Sequence, residues 1–148
     1  MIITPVSAVC AFGPALLVND FNGDGNSDLA FCDKNNNIGV LLGNGDGTFS
    51  PPTMYATWKT GSTIDFAAGD FNSDGKTDII ASYTGTNAFA ILLGNGDGTL
   101  QKKRIVNLSG GYNGGGGIVP GDFNSDGLLD FVLQSGGVGG GVAVYTQR

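Results

Sequence analysis

Asp20-Phe21-Asn22-Gly23-Asp24-Gly25-Asn26-Ser27-Asp28 is a stretch that returns twice along the chain. It reappears as Asp70-Phe71-Asn72-Ser73-Asp74-Gly75-Lys76-Thr77-Asp78 and as Asp122-Phe123-Asn124-Ser125-Asp126-Gly127-Leu128-Leu129-Asp130. The spacing is about 50 residues, a period that belongs to repeat architectures. A second motif keeps step in the first two units. Leu41-Leu42-Gly43-Asn44-Gly45-Asp46-Gly47-Thr48-Phe49 matches Leu92-Leu93-Gly94-Asn95-Gly96-Asp97-Gly98-Thr99-Leu100, with no counterpart before Arg148 in the third unit.

Working outward, short apolar runs flank each motif. Residues 15–18, 64–68 and 117–119 precede the Asp loops; 28–32, 78–82 and 130–134 follow them; 38–42, 89–93 and 142–145 come next. A fourth run per unit lies at 2–9, 53–57 and 102–108. Such runs, rich in β-branched and aromatic residues and bounded by Gly and Asn, read as strands and are too short for helices. The expected fold is all-β, one domain over residues 1–148 built from three four-stranded units. Four-stranded units at this spacing describe β-propeller blades.

The Asp-Phe-Asn-x-Asp-Gly-x-x-Asp loop, followed by Leu-Leu-Gly-Asn-Gly-Asp-Gly-Thr, resembles the FG-GAP/VCBS repeat of integrin-α-like β-propellers. The resemblance covers nearly the whole chain and implies a binding or adhesion module. Three units depart from the complete ring such repeats build within one chain.

Each loop carries side-chain oxygens at positions 1, 3, 5 and 9. They are Asp20, Asn22, Asp24 and Asp28; Asp70, Asn72, Asp74 and Asp78; and Asp122, Asn124, Asp126 and Asp130. Hard oxygens at alternate positions around a Gly-turned loop suit Ca²⁺, at three sites. Position 7 is Asn26, Lys76 or Leu128, a variety that fits a backbone carbonyl ligand. An EF-hand needs Glu at position 12, where Phe31, Ala81 and Leu133 stand instead. Mg²⁺ suits the loops less, because it keeps several waters. Nine of the 13 acidic residues sit in these clusters, and three Ca²⁺ would cancel the formal charge of -6. Without metal the loops would be Asx turns. Asp46 and Asp97 read as turn residues, and Phe21, Phe71 and Phe123 as plugs between units.

Composition removes other functions. With no His and no Glu, the Ser-His-Asp, Cys-His and His-metal sites are absent. Asp33 and Asp65 are the only acids outside the repeated motifs, so no enzyme is expected. The acidic balance argues against nucleic acid. No stretch approaches the roughly 20 apolar residues of a membrane span, and residues 1–9 have no basic start typical of a signal peptide. Cys10 and Cys32 flank antiparallel strands near one face, which allows a disulfide; two free thiols are the alternative. Calcium loops point to an extracellular or cell-surface location, with Asn107-Leu108-Ser109 as a weak glycosylation signal.

The loops at the end opposite the calcium loops vary from unit to unit. They hold Trp58, Lys59, Tyr83 and Tyr112 among small polar residues, a composition usable for glycan or protein recognition. Three units also leave two open flanks. The run at 2–9 is an outer-type strand with no unit of its own, while the last unit ends on its third strand. A homodimer forming a six-bladed ring is expected; a filament, or a piece of a longer propeller, are the alternatives. An assembly subunit without catalysis is the second functional reading.

Overall fold

A computed structural model describes residues 16–57, 63–108, 116–134 and 140–148. Among these the chain is all-β, with β1 (Leu16–Asn19), β2 (Asp28–Cys32), β3 (Ile38–Leu41), β4 (Thr53–Tyr55), β5 (Thr63–Gly69), β6 (Asp78–Tyr83), β7 (Ala88–Leu92), β8 (Arg104–Asn107), β9 (Ile118–Gly121), β10 (Asp130–Gln134) and β11 (Val142–Tyr145). Neighbours in sequence pair antiparallel, giving a first sheet β1-β2-β3-β4, a second β5-β6-β7-β8 and a third β9-β10-β11. No helix among the described residues is long and apolar enough to cross a membrane.

The repeat predicts this order, and the strands fall within one or two residues of the apolar runs. The third sheet has three strands, and the outer-type run at 2–9 lies outside the described residues. Inner strands are covered on both faces. Asp78–Tyr83 is buried throughout, which is why Ile79-Ile80-Ala81 reads as a continuous apolar run rather than an alternation. β1 and β11 alternate exposed and half-buried, as strands with one covered face do.

The sheets stack face to face through two cores. In the first, Ala30, Cys32, Ile38 and Val40 of the first sheet meet Phe66, Ile79, Ala81, Tyr83, Ala90 and Leu92 of the second. In the second core, Ala67, Ile80 and Phe89 meet Ile118, Phe131 and Leu133 of the third sheet. Phe131 and Tyr145 stack at 5.0 Å, and Phe89 meets both edge-on at 5.3 and 5.1 Å. Such pairs contribute about 0.5–1.5 kcal/mol each beyond their area.

The loop phenylalanines divide. Phe21 lies in the first core and Phe71 in the second, as expected of plugs. Phe123 does not plug a core; it is 49% exposed, and among the described residues no further sheet packs beyond the third.

Candidate functional site

The three Asp loops join the first strand of each sheet to the second, so they lie at one end of the stack. Their bends require left-handed backbone at two positions. Gly25, Gly75 and Gly127 at position 6 have φ of 83°, 78° and 83°. Position 4 is also left-handed, at 75° for Gly23 and at 59° and 62° for Ser73 and Ser125. Glycine takes such angles without steric penalty, whereas the two serines are strained unless the loop holds them.

Side-chain hydrogen bonds do the holding. Asp20 Oδ1 accepts the Gly23 N–H at 2.7 Å and Asp20 Oδ2 the Gly25 N–H at 2.9 Å. Asn22 Oδ1 accepts the Asp24 N–H at 3.0 Å, and Asp24 Oδ1 the Asn26 N–H at 2.7 Å. The amide of Asn22 donates to Asp24 Oδ2 at 2.9 Å. The second and third loops repeat the pattern through Asp70, Asn72 and Asp74, and through Asp122, Asn124 and Asp126. The Asn26 N–H and the Asn22 amide hold the Asp24 carboxyl below the usual range; the Gly127 N–H does the same for Asp122.

The ninth residue behaves differently. Asp28, Asp78 and Asp130 are fully buried beneath the loops. Asp28 accepts from the Phe21 N–H at 2.8 Å and the Gly43 N–H at 2.7 Å. Asp78 does so from Phe71 at 3.1 Å and Gly94 at 2.8 Å. These carboxylates tie the Asp loop to the chain leaving the third strand. The glycines at 43 and 94 permit the approach: a Cβ there would come within 2.3 Å of the Ser27 carbonyl and 2.2 Å of the Thr77 carbonyl. In the third sheet Asp130 accepts from Phe123 and from the Gln147 N–H at 2.9 Å. Gln147 thus stands where Gly43 and Gly94 do, a partial third copy of the second motif that the sequence disguises. Burial pushes Asp78 above the usual carboxyl range, against the bonds from Gly94 and Phe71, and Asp74 and Asp70 add repulsion.

At the rim, positions 1, 3 and 5 present two carboxylates and an amide close together. The fourth side chain expected from the sequence, the ninth Asp, accepts two backbone N–H groups. Among the described residues no group of three or more carboxylates is gathered so as to hold a metal ion. Position 7 contributes its backbone, with differing side chains above it. Lys76 lies against Gly96, and Leu128 is half-buried.

Two windows of the chain, residues 20–81 and 70–133, match the sequence model of the FG-GAP-like repeat. Together they run from the first Asp of the first loop into β10. The chain belongs to the FG-GAP-like repeat family. No curated protein matches it. FG-GAP-like repeats are binding-type rather than catalytic units, and they suggest a β-propeller-like adhesion or binding module.

The opposite end of this FG-GAP-like chain corrects one expectation. Tyr83, expected on the recognition face, is fully buried in the first core, its ring filling space between the sheets. Burial pushes its hydroxyl up to about 12. Trp58, Lys59 and Tyr112 lie outside the described residues. Cys32 is buried and disulfide-bonded, while Cys10, its expected partner, lies outside the described residues. The two acids outside the motifs have structural work. Asp33 Oδ1 accepts the Asn35 and Asn37 N–H groups, both at 2.8 Å, and organises the β2–β3 turn. Asp65 Oδ2 accepts the Ile118 N–H at 2.8 Å and links the second sheet to the third. Asp46 and Asp97 are turn residues as read: each accepts from the N–H and hydroxyl of Thr48 or Thr99.

Proposed function

We propose that this FG-GAP-like chain is a calcium-stabilised binding or adhesion module that works outside the cell or at its surface. The observation that carries the reading is the threefold repetition of one oxygen-rich rim at a single end of the stack. Positions 1, 3 and 5 of each loop, with the carbonyl at position 7, supply hard oxygens of the kind Ca²⁺ takes. The ninth Asp, bonded to two N–H groups, keeps lone pairs free to join them. The disulfide at Cys32 suits an oxidising compartment. The recognition surface is the variable end, where the turns at 33–37 and 84–87 sit, and its ligand is a glycan or protein.

Equilibrium dialysis against Ca²⁺ is the test. Three ions bound per chain, with one lost in each of Asp24→Ala, Asp74→Ala and Asp126→Ala, is the expected result. Saturating calcium at a hundred times Kd should add about 2.7 kcal/mol per site, which chelator removes. No bound calcium and unchanged melting in chelator would overturn the calcium reading. A glycan array and a cell-surface capture assay, each in calcium and in chelator, test recognition. A second reading, an assembly subunit, is favoured by the exposed Val119, Val142 and Val144 on the outer face of the third sheet.

A further inference from the structure

The two contacts between sheets are built from matching residues, and the second lacks part of the set. An open groove of about 410 Å³ lies between the second and third sheets, where Phe71, Phe89, Ile91, Val106, Phe131 and Tyr145 form its apolar lining. Each has a counterpart in the first core. Phe71 matches Phe21 as the second residue of its Asp loop, and Phe131 matches Ile79 as the residue after the ninth Asp. Tyr145 stands opposite Phe131 as Leu92 stands opposite Ile79. Val106 stands opposite Phe89 as Tyr55 stands opposite Ile38, and two residues further on Ile91 matches Val40. All six counterparts pack in the first core, and Leu100 and Ile105 pack there with them.

Those two residues come from the outer edge of the second sheet: Ile105 lies on β8 and Leu100 just ahead of it. The third sheet has three strands, and its edge strand β11 has no outer partner among the described residues. The difference shows in burial. Leu92 is 1% exposed in the first contact, whereas Tyr145, its counterpart in the second, is half-buried. An unpaired edge offers a row of N–H and C=O groups to a further strand, and here an aromatic groove lies beside it.

We propose that the third sheet takes its fourth strand from another polypeptide, an extended acidic segment that pairs with β11 and sets two apolar side chains in the groove. Strand addition of this kind draws affinity from main-chain hydrogen bonds and selectivity from pockets for alternate side chains. The second sheet supplies the register. Ile105 stands opposite Ala90, so one bound apolar residue stands opposite Ala143, and the other precedes it by five positions as Leu100 precedes Ile105. Charge completes the description of the occupant. Arg148 is the only charged residue in the lining, in a chain whose formal charge is -6. Arg104 is exposed on β8, opposite the lining residue Ile91. Between its two apolar residues the second sheet carries Lys102 and Lys103. A strand set against Arg104 and Arg148 is favoured by acidic residues at those places. The site stands apart from the variable end, and it does not rest on the calcium reading.

The probe is a capped peptide of residues 99–108 carrying Lys102→Asp and Lys103→Asp, titrated into the whole chain. Fluorescence anisotropy reads its affinity, and hydrogen exchange reads where it binds. Saturable binding of one peptide per chain, with slower exchange within residues 142–145, is the expected result. The peptide that keeps both lysines should bind at least about tenfold more weakly. Leu100→Asp in the acidic peptide should abolish binding. In the protein, Arg104→Glu with Arg148→Glu, both at exposed positions, should reverse the preference between the acidic and basic peptides. No binding, equal affinity for the two peptides, or binding that leaves 142–145 unprotected would each overturn the proposal. So would slow exchange at 142–145 in the free single chain, which would mean that the chain covers its own edge. Paired chains at micromolar concentration that resist the peptide would overturn it too, because a second copy would then hold the edge.

Discussion

Asp74 and Asp78 stand four residues apart in one loop, yet they do opposite kinds of work. Asp78 is buried, and its two oxygens receive the N–H groups of Phe71 and Gly94, one inside the loop and one from the strand exit beyond it. Asp74 is exposed and accepts only from its neighbours, the Lys76 N–H and the Asn72 amide. One carboxylate is a strut between two segments of backbone. The other is a rim oxygen turned to solvent, where a cation can reach it. A repeated motif can therefore carry residues of one type with different energetic roles, because burial and long-range partners decide the role.

The largest expected effect separates the two roles. Asp78→Ala leaves two buried N–H groups without acceptors, at about 1–3 kcal/mol each. The total, about 3–5 kcal/mol, lowers Tm by roughly 10 °C for a chain of this size. The loss should already be present in chelator, where no calcium contributes, and thermal melts in chelator read it. Asp74→Ala is smaller and conditional. In chelator it should change stability by under about 1 kcal/mol, since only exposed local bonds are lost. In calcium it should remove about 2–3 kcal/mol, the binding contribution of one site. Equal losses for the two variants in chelator would erase the distinction between strut and rim.

The sequence makes the repeat, the strand order and the loops legible, for a physical reason. The bends need glycine at position 6, and they need Asp and Asn to accept the N–H groups that sheet pairing leaves over. Those requirements fix residue types at fixed spacing, and spacing is what a sequence displays. The strut role of Asp78 is hidden in the sequence because its Gly94 partner lies a whole hairpin away. Tyr83 looked like a recognition residue because it ends a strand beside a polar turn. Its ring faces the first core, a direction set by strand alternation counted from Ile79 and Ala81. Gln147 went unnoticed because its backbone N–H, and not its side chain, repeats the role of Gly43 and Gly94. Its side chain adds something new: the amide donates to the Asp70 carbonyl at 3.0 Å and to that of Leu129 at 2.7 Å.

Asp33, at the far end of the stack, sits between the two extremes. It is buried like Asp78, but its partners are the turn residues Asn35 and Asn37, much as Asp74 has local partners. Burial alone would raise its pKa. The N–H and amide of Asn37 and then those of Asn35 outweigh it, and the net direction is down. A carboxyl depressed in the folded state contributes stability above its unfolded value, near 4, and that contribution fades as pH falls through the lower folded value. Asp33→Asn keeps an acceptor for the two N–H groups at Oδ1 but sets an NH₂ against the Asn37 amide. It should lower stability at neutral pH by about 1.5–3 kcal/mol, the worth of one hydrogen bond to a charged acceptor. Urea unfolding at pH 7 and again below pH 3 measures the difference between wild type and variant, which should shrink with acid. A difference that held constant across that range would mean the turn relies on the shape of the side chain and not on its charge, and Asp33 would then belong with neither the struts nor the rim.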